Sequence, residues 1–150
     1  MTEQQWLNNN ELALKIWNNK YRNNNESFED WLNRVSGNNE YIKNLIIQKK
    51  FLFGGRILSN RGITNKKTTL SNCYVLPRVE DTLESIFKTA SNMARTFSYG
   101  GGVGIDLSSL RPKGATVNNA AKESSGPVSF MEMFSQVTQT ITQSGRRGKP

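Results

Sequence analysis

Cys73, the lone cysteine of the chain, stands in an apolar run, Leu70-Ser71-Asn72-Cys73-Tyr74-Val75-Leu76-Pro77. Further on lies a glycine-rich turn, Tyr99-Gly100-Gly101-Gly102-Val103-Gly104. A thiol can give hydrogen or electrons to a substrate. Glycines, having no Cβ, let backbone amides approach an anion closely. The pair therefore supplies parts for redox chemistry on a phosphorylated substrate. Each part also has a plainer alternative. Most lone cysteines are small buried hydrophobes, and glycines behind a helix can serve only to stop it. Here the glycines follow a helical segment and precede a strand-like one, which excludes the strand–glycines–helix order of a dinucleotide fingerprint. No Gly-Lys-Ser/Thr follows, so a Walker loop is excluded as well.

Charge and composition narrow the possibilities. The chain of 150 residues holds 20 Lys+Arg against 12 Asp+Glu, a net charge of +8, which favours anionic partners such as nucleotides, nucleic acid or acidic proteins. Histidine is absent, which removes His-based metal sites and any Ser-His or Cys-His pair within the chain; no metal site is expected. A single cysteine cannot form an internal disulfide, so the chain reads as cytoplasmic. No apolar run approaches the roughly 20 residues of a membrane span, and Met1-Thr2-Glu3-Gln4-Gln5 lacks the pattern of a signal peptide.

The elements that must position these residues follow from periodicity. A helix is expected from Glu3 to Tyr21, with Trp6, Leu7, Leu12, Leu14, Ile16 and Trp17 as its apolar face. Ser27 caps a second helix carrying Phe28, Trp31, Leu32 and Val35, closed by Gly37. A third runs from Asn39 to Lys49, with Tyr41, Ile42, Leu45 and Ile46 inward. Phe51 to Leu58 reads as an apolar turn or short strand, and Thr68 to Leu76 as a strand. Asp81 or Thr82 caps a helix to Phe97, with Glu84 placed for a capping box with Asp81. Val103 to Leu107 alternates like a strand, Asn118 to Gly126 is a polar loop, and Pro127 opens a last helix to Ser144. The second half thus reads as strand, helix, strand, loop, helix, an α/β order. Two strands do not make a self-sufficient sheet, so the chain is expected to be the opening portion of something larger. Arg111 and Lys113, flanking Pro112, are either solvated charges or phosphate partners.

Read together, these segments resemble the large, catalytic subunit of ribonucleotide reductase. The resemblance runs from Phe51 to Gly148 on Phe51-Leu52-Phe53-Gly54-Gly55-Arg56-Ile57-Leu58, Ser71-Asn72-Cys73-Tyr74-Val75, Glu80-Asp81-Thr82-Leu83-Glu84-Ser85-Ile86, Ser98-Tyr99-Gly100-Gly101-Gly102-Val103-Gly104, Leu110-Arg111-Pro112-Lys113-Gly114, Ser124-Ser125-Gly126-Pro127-Val128-Ser129-Phe130 and Gly145-Arg146-Arg147-Gly148. Cys73-Tyr74-Val75-Leu76-Pro77 and the triple glycine look most like the adenosylcobalamin-dependent class.

The resemblance implies a mixed α/β fold. Residues 1–50 would form an N-terminal helical region, and 51–150 the first strands and helices of a ten-stranded α/β barrel, incomplete in this chain. It implies that Cys73 is one thiol of the redox pair that reduces the ribose 2′ position. Ser71, Asn72, Gly100, Gly101 and Gly102 would lie at the substrate, as would Arg56 and Ile57, where many members carry a hydroxyl residue. Asp81, Thr82, Arg111 and Lys113 would hold a deoxynucleotide or ATP effector. The implied cofactor is adenosylcobalamin, for the complete enzyme. Implied partners are the nucleotide substrate, the remainder of the catalytic chain, a thioredoxin-like reductant, and a second copy bound through helices 82–97 and 128–144. The chain alone is expected to be inactive, because the radical cysteine is absent. The alternatives are a non-catalytic basic module for nucleotides or nucleic acid, and a truncated relic.

Overall fold

The computed structural model describes residues 1–143 together with 146 and 147. It holds helices α1 (Glu3–Trp6), α2 (Glu11–Ile16), α3 (Phe28–Ser36), α4 (Glu40–Ile47), α5 (Gly55–Asn60), α6 (Leu83–Ser98) and α7 (Pro127–Thr140), and strands β1 (Cys73–Val75), β2 (Gly102–Gly104), β3 (Thr142–Gln143) and β4 (Arg146–Arg147). They fall into two compact units, Met1–Ser71 and Asn72–Pro150.

The first unit is helical. Its core is Trp6, Trp17, Phe28, Trp31, Leu32, Val35, Ile46 and Leu58. Phe28 and Trp31 stack at 5.7 Å, and Trp17 meets Trp31 edge-on at 6.0 Å. The single helix expected over 3–21 is instead broken. Asn8 and Asn9 take left-handed φ values of 53° and 54°, a conformation asparagine tolerates better than other side-chain-bearing residues. Asn10 then caps α2 by accepting from the Ala13 amide, and a π-turn over Trp17–Tyr21 follows.

α3 forms as its sequence dictates. Ser27 accepts from the Asp30 amide, and Gly37 closes the helix at φ 66°. α4 buries Ile46, but Tyr41 is exposed rather than inward. At 100° per residue, Tyr41 lies about 140° around the helix from Ile46. The segment expected as a turn or strand contains α5, with Gly54 at its N-cap and Leu58 buried. A short apolar run is ambiguous by period alone. The environment decides here: the Ser59 hydroxyl donates to the Lys20 carbonyl at 2.8 Å, and Asn60 Nδ2 to the Thr69 carbonyl at 2.9 Å.

The second unit is a β1-α6-β2 crossover, with β1 and β2 parallel in the register Cys73↔Gly102, Tyr74↔Val103 and Val75↔Gly104. Parallel neighbours need a crossover of a dozen residues or more, usually helical, and α6 supplies it. Both strands are shorter than the sequence suggests. The chains still run together beyond them, through Leu76 N–H to Gly104 O at 3.0 Å and Val79 N–H to Asp106 O at 3.2 Å.

Val79, Ile86, Ala90, Met93, Phe97, Leu110 and Phe134 form the core of this unit, between α6 and α7. Pro127 occupies the first turn of α7, as expected. The helix stops at Thr140; Ser144, its expected end, lies outside the described residues, as do Gly145 and Gly148. Thr142 and Gln143 pair antiparallel with Arg147 and Arg146. The mixed α/β class is therefore realised. Among the described residues, no helix is long and apolar enough to cross a membrane.

Candidate functional site

The thiol is the first element of the site. Cys73 opens β1, and its side chain is free and exposed rather than buried. Side chains alternate across a strand, so Cys73 and Tyr74 take opposite faces. Gly102 stands opposite Cys73 in the register. A Cβ on Gly102 would lie 3.3 Å from Cys73 Sγ and 3.4 Å from the Asn72 carbonyl oxygen. The glycine therefore leaves the sulfur uncovered on its β2 side.

The triple glycine is not a bare amide cradle. Gly100 N–H donates to Phe97 O at 2.9 Å, and Gly101 N–H to Thr96 O at 3.0 Å. With Gly100 at φ 90°, these two bonds form a Schellman stop for α6. Gly102 N–H donates to Asn72 O at 2.7 Å, opening the β ladder. All three amides are thus engaged within the fold, which overturns the expectation that they face an anion. What the bend gives the site is room beside the thiol. The sulfur and the bend do meet, as the order of the motifs suggested.

Asp81 and Arg111 build the second element. Thr82, not Asp81, is the N-cap of α6, accepting from the Ser85 amide at 3.2 Å. The Ser85 hydroxyl in turn accepts from the Glu80 amide at 2.9 Å, so the Asp81–Glu84 capping box does not form. Asp81 is left to accept from Arg111 Nε at 2.6 Å. The Arg111 hydrogen bond holds the Asp81 carboxyl below its ordinary range, against the opposing effect of desolvation.

A cavity of about 450 Å³ opens beside this pair. Asp81, Thr82 and Arg111 line it together with Ile86, Asn118 and Ser124, among others. Lys113 is not among the lining residues; a Cβ on Gly126 would come within 2.9 Å of its backbone nitrogen and its Cβ. The polar loop over residues 117–125 also lines the cavity. That loop is pinned by the Thr116–Glu123 bridge and by Val117 N–H to Lys122 O at 2.9 Å. Its signal was there to find, in the polar, small-residue stretch between Val117 and Gly126.

Arg56, Ile57 and Ser71 belong to the first compact unit. Arg56 and Ile57 are half-buried on α5, and Ser71 is exposed, its amide donating to Thr69 Oγ1 at 3.2 Å. Among the described residues, no cluster of three His, Cys, Asp or Glu could hold a metal. The three tryptophans are buried in the helical core and cannot stack on bases, which removes one support for the nucleic-acid alternative.

Comparison with known proteins places the chain in a family. The family model described as ribonucleotide reductase, barrel domain, matches residues 71–149. The chain is similar to the vitamin B12-dependent ribonucleoside-diphosphate reductase of Thermoplasma acidophilum, 46% identical over 90 residues, covering 60% of the chain and 11% of that protein. It is also similar to the enzyme of the same name from Mycobacterium tuberculosis, 36% identical over 108 residues, covering 72% of the chain and 15% of the relative. The chain thus spans a small part of these curated relatives. Its fold matches the Actinobacillus ureae class Id ribonucleotide reductase alpha subunit with a TM-score of 0.77 at 20% identity, over 95% of the chain and 28% of that subunit. From Ser71 through Lys149, on the strand with the exposed thiol and the crossover beside it, the chain belongs to the ribonucleotide reductase barrel-domain family.

Proposed function

We propose that this chain supplies part of the catalytic machinery of a ribonucleotide reductase, acting with the remainder of the barrel. The observation that carries the reading is the exposed Cys73 sulfur on a parallel strand, opposite a glycine that leaves it uncovered. In this role Cys73 and a second thiol from the rest of the enzyme together give two electrons and two protons. The 2′ C–O bond of the ribose breaks, the hydroxyl leaves as water, a C–H bond forms at that carbon, and the two sulfurs join as a disulfide. A thioredoxin-like dithiol then reduces that disulfide. Holding the thiol beside the ribose carbon is the chain's share of the catalysis.

Ser71, Asn72, Arg56 and Ile57 serve the substrate in this reading, with Gly100 to Gly102 giving it space rather than donors. Asp81, Thr82 and Arg111 receive a nucleotide effector, Arg111 toward its phosphates and Asp81 toward its sugar or base, with Lys113 adding positive charge nearby. The outer faces of α6 and α7, with Leu83, Phe87, Val128 and Met131 exposed, are assigned to contact with a second copy. The reading places the enzyme in the cytoplasm.

The names of the two bacterial and archaeal relatives point to adenosylcobalamin as the radical source of the complete enzyme. This reading assigns the cofactor's contacts to the rest of the enzyme, and no step here runs through it.

The test joins this chain to a polypeptide carrying the remaining barrel. Deoxynucleotide formation is then measured with adenosylcobalamin, a ribonucleotide and a dithiol. Cys73→Ser is expected to abolish multiple turnovers; sustained turnover by that variant would remove the redox role.

A further inference from the structure

Tyr74 is next to Cys73 in β1 and opposite Val103 in the register. It retains 37% of its exposure, so most of its surface is covered. A Cβ built on the buried Gly101 would lie 2.8 Å and 2.9 Å from two ring carbons of Tyr74, and 2.9 Å from Thr96 Cγ2. The backbone of Gly101 is therefore wedged between an aromatic ring of β1 and a methyl of α6. Only a residue without a side chain lets the ring come this close. Because neighbours on a strand face opposite ways, a ring anchored against the end of α6 turns the adjacent thiol to the other face.

We infer that Tyr74 is a positioning residue for Cys73: its ring, seated on Gly101, locks β1 to the glycine bend and fixes the sulfur against Gly102. In this inference the ring acts through β1 rather than on the substrate. Its contact settles the register in which Gly102 N–H meets Asn72 O at 2.7 Å. A strand pair of three residues has few ladder bonds of its own, so a side-chain lock decides whether the pairing holds or frays. The inference rests on the redox role proposed for Cys73, but its first test does not.

That test is amide hydrogen exchange, read by NMR on the full chain. Tyr74→Ala is expected to speed exchange at Gly102 by about tenfold while the mid-helix amides of α6 keep their protection. Tyr74→Phe is expected to retain the slow exchange, since it keeps the ring carbons that lie against Gly101. Exchange at Gly102 within about twofold of the unsubstituted chain in Tyr74→Ala, with α6 still protected, overturns the inference. Should Tyr74→Ala unfold, Tyr74→Leu, which keeps apolar bulk without a flat ring, is judged by the same two criteria.

A second readout uses the assembled enzyme, where Tyr74→Ala is expected to lower kcat with KM unchanged and Tyr74→Phe to restore it. Sustained turnover by Cys73→Ser would sink the redox role and leave the exchange result standing. Unchanged exchange in Tyr74→Ala would sink the lock and leave the redox role standing.

Discussion

Arg111 closes onto Asp81 in the lining of the cavity, its Nε donating to Oδ2 at 2.6 Å while its Nη1 donates to the Thr116 carbonyl at 3.0 Å. One guanidinium thus ties the residue before the α6 cap to the start of the loop that walls the cavity. Asp81→Asn is expected to loosen that loop and weaken nucleotide binding at the cavity, and Arg111→Met to do so more strongly by removing the cation as well. Isothermal titration with a deoxynucleoside triphosphate reads both. Affinity unchanged in both variants would remove the cavity as the effector site.

The same pair fixes a pH dependence. Asp81 has its carboxyl pKa lowered in the folded chain by the Arg111 hydrogen bond. The stability it contributes is therefore present above the ordinary carboxylate value and is lost as pH falls through the depressed one. The melting temperatures of the unsubstituted chain and Asp81→Asn should differ by a constant amount at neutral pH. The gap should narrow only below about pH 4 and close once the carboxyl is protonated in both states. Asp106, whose pKa is also lowered, chiefly by its hydrogen bond from Ser108, is present in both chains and cancels. A gap that persists in strong acid contradicts the ion pair as its source.

Thr82, the N-cap beside this pair, has a separable role. Its hydroxyl accepts from the Ser85 amide, and its loss in Thr82→Ala should cost about 1 kcal/mol of stability. Thr82→Ser keeps the acceptor and should recover most of that. Urea unfolding of the two variants distinguishes the cap from mere packing, since Thr82→Ser also lacks the methyl.

The helices whose signals were local proved legible. α3 follows from Ser27, its apolar stripe and Gly37, and α7 from Pro127, because caps and stops act within a single turn. What the sequence did not disclose was set at a distance. The breaks at Asn8 and Asn9 depend on left-handed asparagines that only the finished core around Trp6 and Trp17 selects. α5 is anchored where Ser59 and Asn60 reach carbonyls at Lys20 and Thr69. At the site, a strand carrying Cys73 and a second strand after the glycine bend were legible through the strand-helix-strand order, while the pairing of Cys73 with Gly102 was not. The engagement of the glycine amides was hidden, because which carbonyl an amide meets is decided by the helix end and the register, not by the glycines themselves.

Gly102 offers a direct check on the open face of the thiol. Gly102→Ala would place a methyl 3.3 Å from Cys73 Sγ, and Gly102 has no positive φ, so backbone strain does not intervene. The variant should fold and should react with a bulky aromatic disulfide roughly fivefold more slowly, because access to the attacking sulfur limits exchange. With one cysteine in the chain, every equivalent of released thiolate reports on Cys73. Labelling at an unchanged rate would mean the substrate-facing side of the sulfur lies elsewhere.

Arg34 organises the helical unit by the same logic of a charge used as scaffold. Its side chain is 10% exposed and that of its partner Glu26 13%. Nη2 meets Glu26 Oε1 at 2.7 Å and the Tyr21 carbonyl at 2.9 Å, Nε meets Oε2 at 3.0 Å, and Nη1 meets the Arg61 carbonyl at 2.7 Å. The fork therefore ties the π-turn, the start of α3 and the end of α5 to one point. Removing it strands a nearly buried carboxylate along with carbonyls that lose their donor. Arg34→Ala should destabilise the chain by about 3–5 kcal/mol, the range for breaking one side of a buried pair. Arg34→Lys should recover only part of this, because a single ammonium cannot span acceptors arranged for a planar fork. Glu26→Gln, which leaves an uncompensated guanidinium but keeps one acceptor, should fall between them. Urea unfolding followed by tryptophan fluorescence reads all three, since Trp6, Trp17 and Trp31 lie in the core beside this network. Losses below about 1 kcal/mol throughout would place Arg34 among ordinary surface pairs and leave the aromatic cluster to hold the unit by itself.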